Sequence, residues 1–141
     1  MTTSATIEHL NPEGLVRNPA FTQVGTVTGP TRTVYVGGQN GVDATGGIVG
    51  RGDVAAQVAQ VLANLETALA AAGADPGHVI KWTILVVDGQ PIQPALEVFQ
   101  RVWGQRSGPP LITVAMVAGA AHPDALVELE AVAVVPLDAP G

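Results

Sequence analysis

The chain has no cysteine and few basic residues, and each of these shortages excludes a class of function. Without cysteine there is no disulfide, no thiol nucleophile and no cysteine-based metal site. Lysine and arginine number only 6 of 141 residues, against 12 acidic residues, and they are scattered along the chain. Binding to nucleic acid or to anionic lipid needs clustered positive charge, so the sequence predicts neither of these partners.

The low overall charge indicates surface that is hidden in an oligomer. Only 13% of the residues are charged, whereas an ordinary soluble domain has roughly 25%. The hydrophobic content of 47% is enough for one core, and we expect residues 1–141 to form a single domain with an irregular N-terminal segment at 1–20 that includes a short edge strand at 5–10. There is no leader pattern, and no apolar run approaches the roughly 20 residues of a membrane span, so we expect a cytoplasmic protein.

Hydrophobic periodicity predicts an α+β fold with the element order β-β-β-α-β-α-β-β. Two β-branched runs flank Gly29-Pro30 and predict a hairpin. The clearest helix follows Asp53, a suitable N-cap, and its apolar residues recur at helical spacing. The apolar segment 78–89 predicts a strand buried on both faces, and a second helix is expected to begin near Pro94. Both helices should pack on one face of one sheet.

Several short motifs, in their order and spacing, resemble the Rid family of reactive intermediate deaminases, also called YjgF. The segment V-Y-V-G-G-Q at 34–39 is followed by Asp43, the pair Thr45-Gly46, a Q-x-x-x-x-L-x-N helix and a V-x-K-x-T strand. The closing V-E-L-E-A-V-A at 127–133 is similar to the family's V-E-I-E-A-I-A. No single motif is specific, but together they run from about residue 21 to residue 135.

The resemblance implies a chorismate-mutase-like fold in which a six-stranded sheet carries two helices on one face. It also implies a homotrimer whose sheets form an inner barrel, with clefts between neighbouring subunits. Deaminating members hydrolyse small enamines and imines to carbonyl compounds and ammonia, and they need neither a metal nor a cofactor. The resemblance therefore implies a small-molecule substrate, no cofactor and no metal site.

The positions that bind substrate in deaminating members are altered here. The family's P-A-R-S-x-V aligns with residues 109–114, which places Leu111 at the arginine that grips the substrate carboxylate and Ile112 at the serine. Phe21 stands in place of a tyrosine, Gly37 in place of a serine and Leu96 in place of an asparagine. The other positions that the resemblance assigns to substrate binding are Gly38, Gln39 and Thr113.

These changes make the expected cleft apolar, and a carboxylate buried there without a cation would be costly. We therefore expect a cofactor-free hydrolase of a small neutral or aromatic enamine or imine. The matching first glutamate of V-E-I-E is Glu128, which we predict as the catalytic residue that activates or positions water. Alternatively, Glu128 is an ordinary strand carboxylate with no catalytic role. Arg17 is the one cation placed to substitute for the missing arginine.

Two other functions remain open at this point. The first is a trimer that binds a small molecule, without catalysis, as a regulator. The second is a relative with tautomerase or lyase chemistry in a biosynthetic or catabolic pathway. Ammonia release from 2-iminopropionate separates the usual Rid activity from all of these, and we expect little or none.

Overall fold

Six strands and two α-helices make up the described chain. The structure, a computed structural model, describes residues 4–103 and 108–137. Its elements are β1 (Thr6–Leu10), β2 (Val24–Thr28), β3 (Thr31–Gln39), α1 (Val54–Ala71), β4 (Val79–Val87), α2 (Ile92–Trp103), β5 (Leu111–Val117) and β6 (Val127–Pro136), with a short 3-10 turn before β4. The predicted α+β class and element order are confirmed.

The strands form two sheets rather than the single six-stranded sheet that we expected. β1 and β2 make a two-stranded sheet, and the other four strands lie in the order β3-β6-β4-β5. β4 and β5 are parallel, and the other neighbours are antiparallel. The short strand expected at 5–10 within the N-terminal segment is present as β1, the partner of β2.

The predicted hairpin around Gly29-Pro30 is wrong, because β2 and β3 belong to different sheets. β3 pairs with the longer β6 along most of its length, which gives it more ladder hydrogen bonds than the five residues of β2 could offer. The Pro30 carbonyl accepts a bond from the Leu137 amide at 3.0 Å and so continues the pairing with β6. Gly29 has a φ of 95°, a value that glycine adopts readily and that lets the chain leave β2 sharply.

The core lies between the helices and one face of the four-stranded sheet. Along β6 the alternate residues Val127, Leu129, Ala131 and Ala133 are at most 3% exposed and pack in the core. The intervening residues point to the opposite face, as the two-residue period of a strand requires. That opposite side, here called the open face, carries Tyr35, Lys81, Thr83, Glu128, Glu130 and Val132.

The burial of β4 is one-sided. Trp82 and Val86 are in the core, and the Trp82 ring packs on Phe99 of α2 with centroids 4.2 Å apart. Lys81, by contrast, is exposed. Our expectation that β4 is buried on both faces therefore does not hold within one chain. The expectation that both helices pack on one face of the sheet is confirmed.

Helix α1 begins as predicted and is the main helix of the core. The Asp53 side chain accepts a bond from the Ala56 amide at 3.1 Å and caps the first turn. Its 18 residues are long and apolar enough for a membrane span by composition alone. Seven of its side chains are buried in the fold, and this packing on the sheet accounts for the apolar composition.

Helix α2 begins at Ile92, two residues before the start that we predicted. Pro94 therefore occupies the third helical position. Backbone N–H groups in the first turn have no acceptor within the helix, so a proline there costs no hydrogen bond.

Gln57 links three segments of the chain from inside the core. Its side chain is fully buried. The amide nitrogen donates to the Gly50 and Asp124 carbonyls, each at 3.1 Å, and the amide oxygen accepts from the Leu126 amide at 2.8 Å. The burial of this polar side chain is tolerated because each of its polar atoms is paired.

We predict that Gln57→Leu destabilises the protein by about 3 kcal/mol, because three backbone groups would lose their partner inside the fold. Gln100→Leu, on the exposed surface of α2, is the matched control and should change stability little. Urea unfolding monitored by circular dichroism measures both. Equal stability of the two variants would contradict the linking role.

The loop after β3 contains a turn at Asp43. One carboxylate oxygen accepts bonds from the Thr45 hydroxyl at 2.7 Å, the Thr45 amide at 2.9 Å and the Gly47 amide at 3.1 Å. These donors, the hydroxyl first, lower the pKa of the exposed Asp43 carboxyl below its ordinary value. The turn therefore contributes to the free energy of unfolding above the pKa of Asp43 in the unfolded chain. This contribution is lost as pH falls through the lower pKa of Asp43 in the folded state.

We expect the Thr45 and Gly47 amide resonances to titrate together, with a midpoint below the ordinary aspartate range. Two-dimensional NMR across acidic pH measures this directly. The variant Asp43→Asn should lack the transition. A midpoint at or above the ordinary aspartate pKa would refute the account of the turn.

Candidate active site

The Glu128 carboxylate lies against the backbone of Gly38 at a bulge in β3. Pairing with β6 passes from Val36 opposite Ala131 to Gln39 opposite Leu129, so β3 contains one extra residue. A Cβ added to Gly38 would lie 2.8 Å from Glu128 Oε2 and 2.9 Å from its Cδ. Only glycine therefore leaves room for the carboxylate in this position.

The other carboxylate oxygen is bound by a residue that we did not predict. Asn40 Nδ2 donates to Glu128 Oε1 at 3.1 Å, and it lies 3.4 Å from the Val127 carbonyl. Glu128 itself is half-buried on the open face. Its carboxylate thus has one oxygen held by an amide and the other beside a glycine.

Polar residues of α1 hold the loop that carries Asn40. Asn64 Nδ2 donates to the Asn40 carbonyl at 3.1 Å and to the Val42 carbonyl at 2.8 Å. Gln60 Nε2 in turn donates to Asn64 Oδ1 at 2.8 Å. The sequence signal was available, because Gln57, Gln60 and Asn64 recur at intervals of three and four residues and so share one side of a helix.

A second group of predicted residues lies where the two sheets meet. A Cβ on Gly25 of β2 would be 3.2 Å from Cδ1 of both Leu111 and Ile80. The Leu111 side chain therefore packs beneath β2. Thr22, which lies before β2, is buried. Its hydroxyl donates to the Pro109 carbonyl and its amide to the Pro110 carbonyl. These bonds bring the preceding residue, Phe21, close to the start of β5.

Within one chain this second group is far from Glu128. Glu128 pairs with Leu85 of β4, whereas Leu111 pairs with Lys81. Four residues along β4 span about 13 Å, and two strand spacings add about 10 Å at right angles, so the two positions are roughly 16 Å apart. A small molecule cannot contact Leu111 and Glu128 of the same chain together.

The remaining predicted residues are divided between the two sides of the sheet. Ile112 packs against the core, so its side chain faces away from Glu128. Leu96 is 44% exposed on α2, on the helix side of the sheet. Thr113 pairs with Thr83 from β5, the edge strand of the four-stranded sheet, and is exposed.

Three further positions complete the predicted set. Gln39 turns its side chain back to the Gly37 carbonyl at 3.0 Å, and Gly37 has open space where a side chain would lie. The Arg17 guanidinium donates to the Asn11 carbonyl at 3.1 Å in an exposed segment. Among the described residues, no three histidine, aspartate or glutamate side chains gather as a metal site.

Comparison with known proteins identifies the family. The family model described as Endoribonuclease L-PSP matches residues 17–135. This chain belongs to that family. The 2-iminobutanoate/2-iminopropanoate deaminase of Homo sapiens is 34% identical over 103 residues, which are 73% of this chain and 73% of the relative. The resemblance to Rid proteins is thereby confirmed.

Solved structures agree with this membership and with the fold. YyfB from Yersinia pestis, a protein of unknown function in the Rid family, superposes with a TM-score of 0.75 at 32% identity and covers 90% of this chain and 97% of its own. TdcF from E. coli, solved with bound serine, superposes with a TM-score of 0.65 at 30% identity, covering 72% and 80%. The chain is therefore a Rid-family protein with the family's α+β fold.

We predict that Gly38→Ala displaces the Glu128 carboxylate and weakens its bond to Asn40, because the new methyl carbon would lie only 2.8 Å from Oε2 and 2.9 Å from Cδ. Gly37→Ala is the matched control, since a Cβ at Gly37 meets no atom within 4 Å. Crystal structures of both variants measure the position of Glu128. An unmoved carboxylate in Gly38→Ala would disprove the steric role of the glycine.

Proposed function

We propose that the protein is a cofactor-free Rid-type hydrolase that acts on a small neutral or aromatic imine or enamine. Membership of a family whose relatives include imine deaminases supports deaminase chemistry of this general kind. The arrangement of Glu128 carries the proposal, because one carboxylate oxygen is anchored by Asn40 while the other lies beside the Gly38 backbone.

The proposed reaction needs water and one carboxylate. Glu128 accepts a proton from water as the oxygen attacks the C=N carbon and returns it to the imine nitrogen, which gives a neutral tetrahedral carbinolamine. Glu128 then accepts the proton of the new hydroxyl and delivers it to the amine as the C–N bond breaks, so the products are a carbonyl compound and ammonia. An enamine enters the same path after its β-carbon takes up a proton to form the imine.

The residues beside Leu111 support a substrate without a carboxylate. TdcF binds serine, whose carboxylate is an anion. In this chain the segment that aligns with the family's arginine motif offers hydrocarbon from Leu111, beside Ile80, and the Arg17 guanidinium bonds to the Asn11 carbonyl. A buried carboxylate without a cationic partner is strongly disfavoured, so a neutral substrate suits this position better.

The distance between Leu111 and Glu128 supports a site made by two copies of the chain. We propose that Leu111 of one protomer lies near Glu128 of its neighbour in a homotrimer. The polar and apolar side chains of the open face, among them the 79% exposed Tyr35, would then be covered by other copies. Light scattering should give three times the chain mass of 14.3 kDa, and a stable monomer would exclude a shared cleft.

The replacement of a charged anchor by Leu111 also favours a second candidate, a trimer that binds a small molecule without turning it over. Glu128 would then only accept a hydrogen bond from the ligand. Catalysis and binding differ in one measurable respect, because only the first releases ammonia.

We predict that Glu128→Gln abolishes ammonia release from a neutral imine, since the amide cannot take a proton from water. Glu130→Gln is the matched control, because Glu130 lies on the same strand and the same face, two residues away, without the contacts to Asn40 and Gly38. It should keep the wild-type rate. A coupled glutamate dehydrogenase assay follows the ammonia, and full activity of Glu128→Gln would end the catalytic proposal.

We also predict that 2-iminopropionate gives little or no ammonia, whereas one or more compounds in a panel of small aromatic imines are hydrolysed. The reason is the missing cation beside Leu111. Efficient turnover of 2-iminopropionate would contradict neutral-substrate selectivity. Turnover of no compound in the panel, with binding seen by calorimetry, would favour the second candidate.

A further inference from the structure

We propose that Asn40 is a positioning residue, which holds Oε1 of Glu128 so that Oε2 is the oxygen presented to water. This inference rests on the proposed function of Glu128. In this role the Asn40 amide binds Oε1, and Oε2 remains the oxygen that exchanges a proton with water.

The contacts of the carboxylate support this division. Oε1 accepts the Asn40 Nδ2 bond at 3.1 Å. Among the residues that the structure describes, no hydrogen-bond donor is recorded for Oε2, which lies 2.8 Å from the site of a Cβ on Gly38. Because glycine has no side chain, Oε2 fits against the Gly38 backbone, and the half-buried Glu128 keeps part of its surface open to water.

The backbone of Asn40 is fixed independently of its side chain. Its carbonyl accepts from Asn64 Nδ2 at 3.1 Å and from the Val42 amide at 2.8 Å. The Asn40 side chain donates only toward β6, to Glu128 and the Val127 carbonyl. Its removal therefore leaves the hydrogen bonds that hold the loop in place.

An amide is suited to this task because its NH2 group donates hydrogen bonds and does not exchange a proton with a carboxylate at ordinary pH. Oε1 thus stays an acceptor throughout the reaction, and the transferred proton resides on Oε2. The anchored rotamer also keeps Oε2 within reach of the attacking water. Loss of such alignment reduces the rate of the chemical step more than it weakens substrate binding.

A double-mutant cycle tests the proposal, with Asn40→Ala, Glu128→Gln and the two combined. For a neutral imine that the wild type hydrolyses, we expect Asn40→Ala to lower kcat about tenfold with KM within about twofold. Any residual ammonia release of Glu128→Gln should be unchanged by the same substitution, since Asn40 acts through Glu128. Thr67→Ala, on the exposed side of α1, is the control and should keep the wild-type rate.

NMR supplies a readout that does not depend on turnover. The side-chain amide resonances of Asn40 should shift in Glu128→Gln and stay in place in Glu130→Gln. Three results would each overturn the role of Asn40. They are unchanged resonances in Glu128→Gln, a wild-type kcat in Asn40→Ala, and a loss of activity on adding Asn40→Ala to Glu128→Gln that equals its loss in the wild type. Full turnover by Glu128→Gln would instead overturn the proposed function itself, so the two failures are distinguishable.

Discussion

The arrangement around Glu128 depends on hydrogen bonds from amide side chains of α1 to the backbone of neighbouring loops. Gln57 binds the loop before α1 and the entrance to β6, while Asn64 binds the loop that follows β3. Glu128 and its partner Asn40 are carried by these two segments. The β3–β6 ladder, in which Gln39 pairs with Leu129, brings Asn40 beside Glu128, and the amides of α1 hold the loops at this end of the ladder in place.

These amides show why part of the fold was predictable from sequence and part was not. The stripe of valine and leucine on α1 predicts which side faces the sheet, and the alternation in β6 predicts the face of Glu128, because both follow the period of the element. Strand pairing does not follow from a local period. The turn at Gly29-Pro30 has the residues of a hairpin, yet β3 gains a longer ladder with β6, which is over 90 residues away in sequence.

The candidate site was predictable to the extent that single residues match family motifs. Glu128 and Gly38 were predicted in this way, and the structure shows that the carboxylate of one lies against the backbone of the other. Asn40 was missed, because it belongs to no motif that we recognised and its contact with Glu128 spans 88 residues. The packing of Leu111 under Gly25 was also missed, since it requires the position of a second sheet.

The packing of Leu111 under Gly25 gives this residue a structural role in addition to its effect on the charge of the site. A shorter or polar side chain at position 111 would leave a gap beneath β2 or an unpaired group, so Leu111 joins the small sheet to the large one while also removing charge from the region. Glu128 lies in a different part of the same protomer and is held by different contacts. If the cleft is shared between copies, the residue that sets substrate charge and the residue that handles the proton are supported by separate packing. Substitution at position 111 could then alter which molecules bind while the geometry of Glu128, Gly38 and Asn40 stays the same.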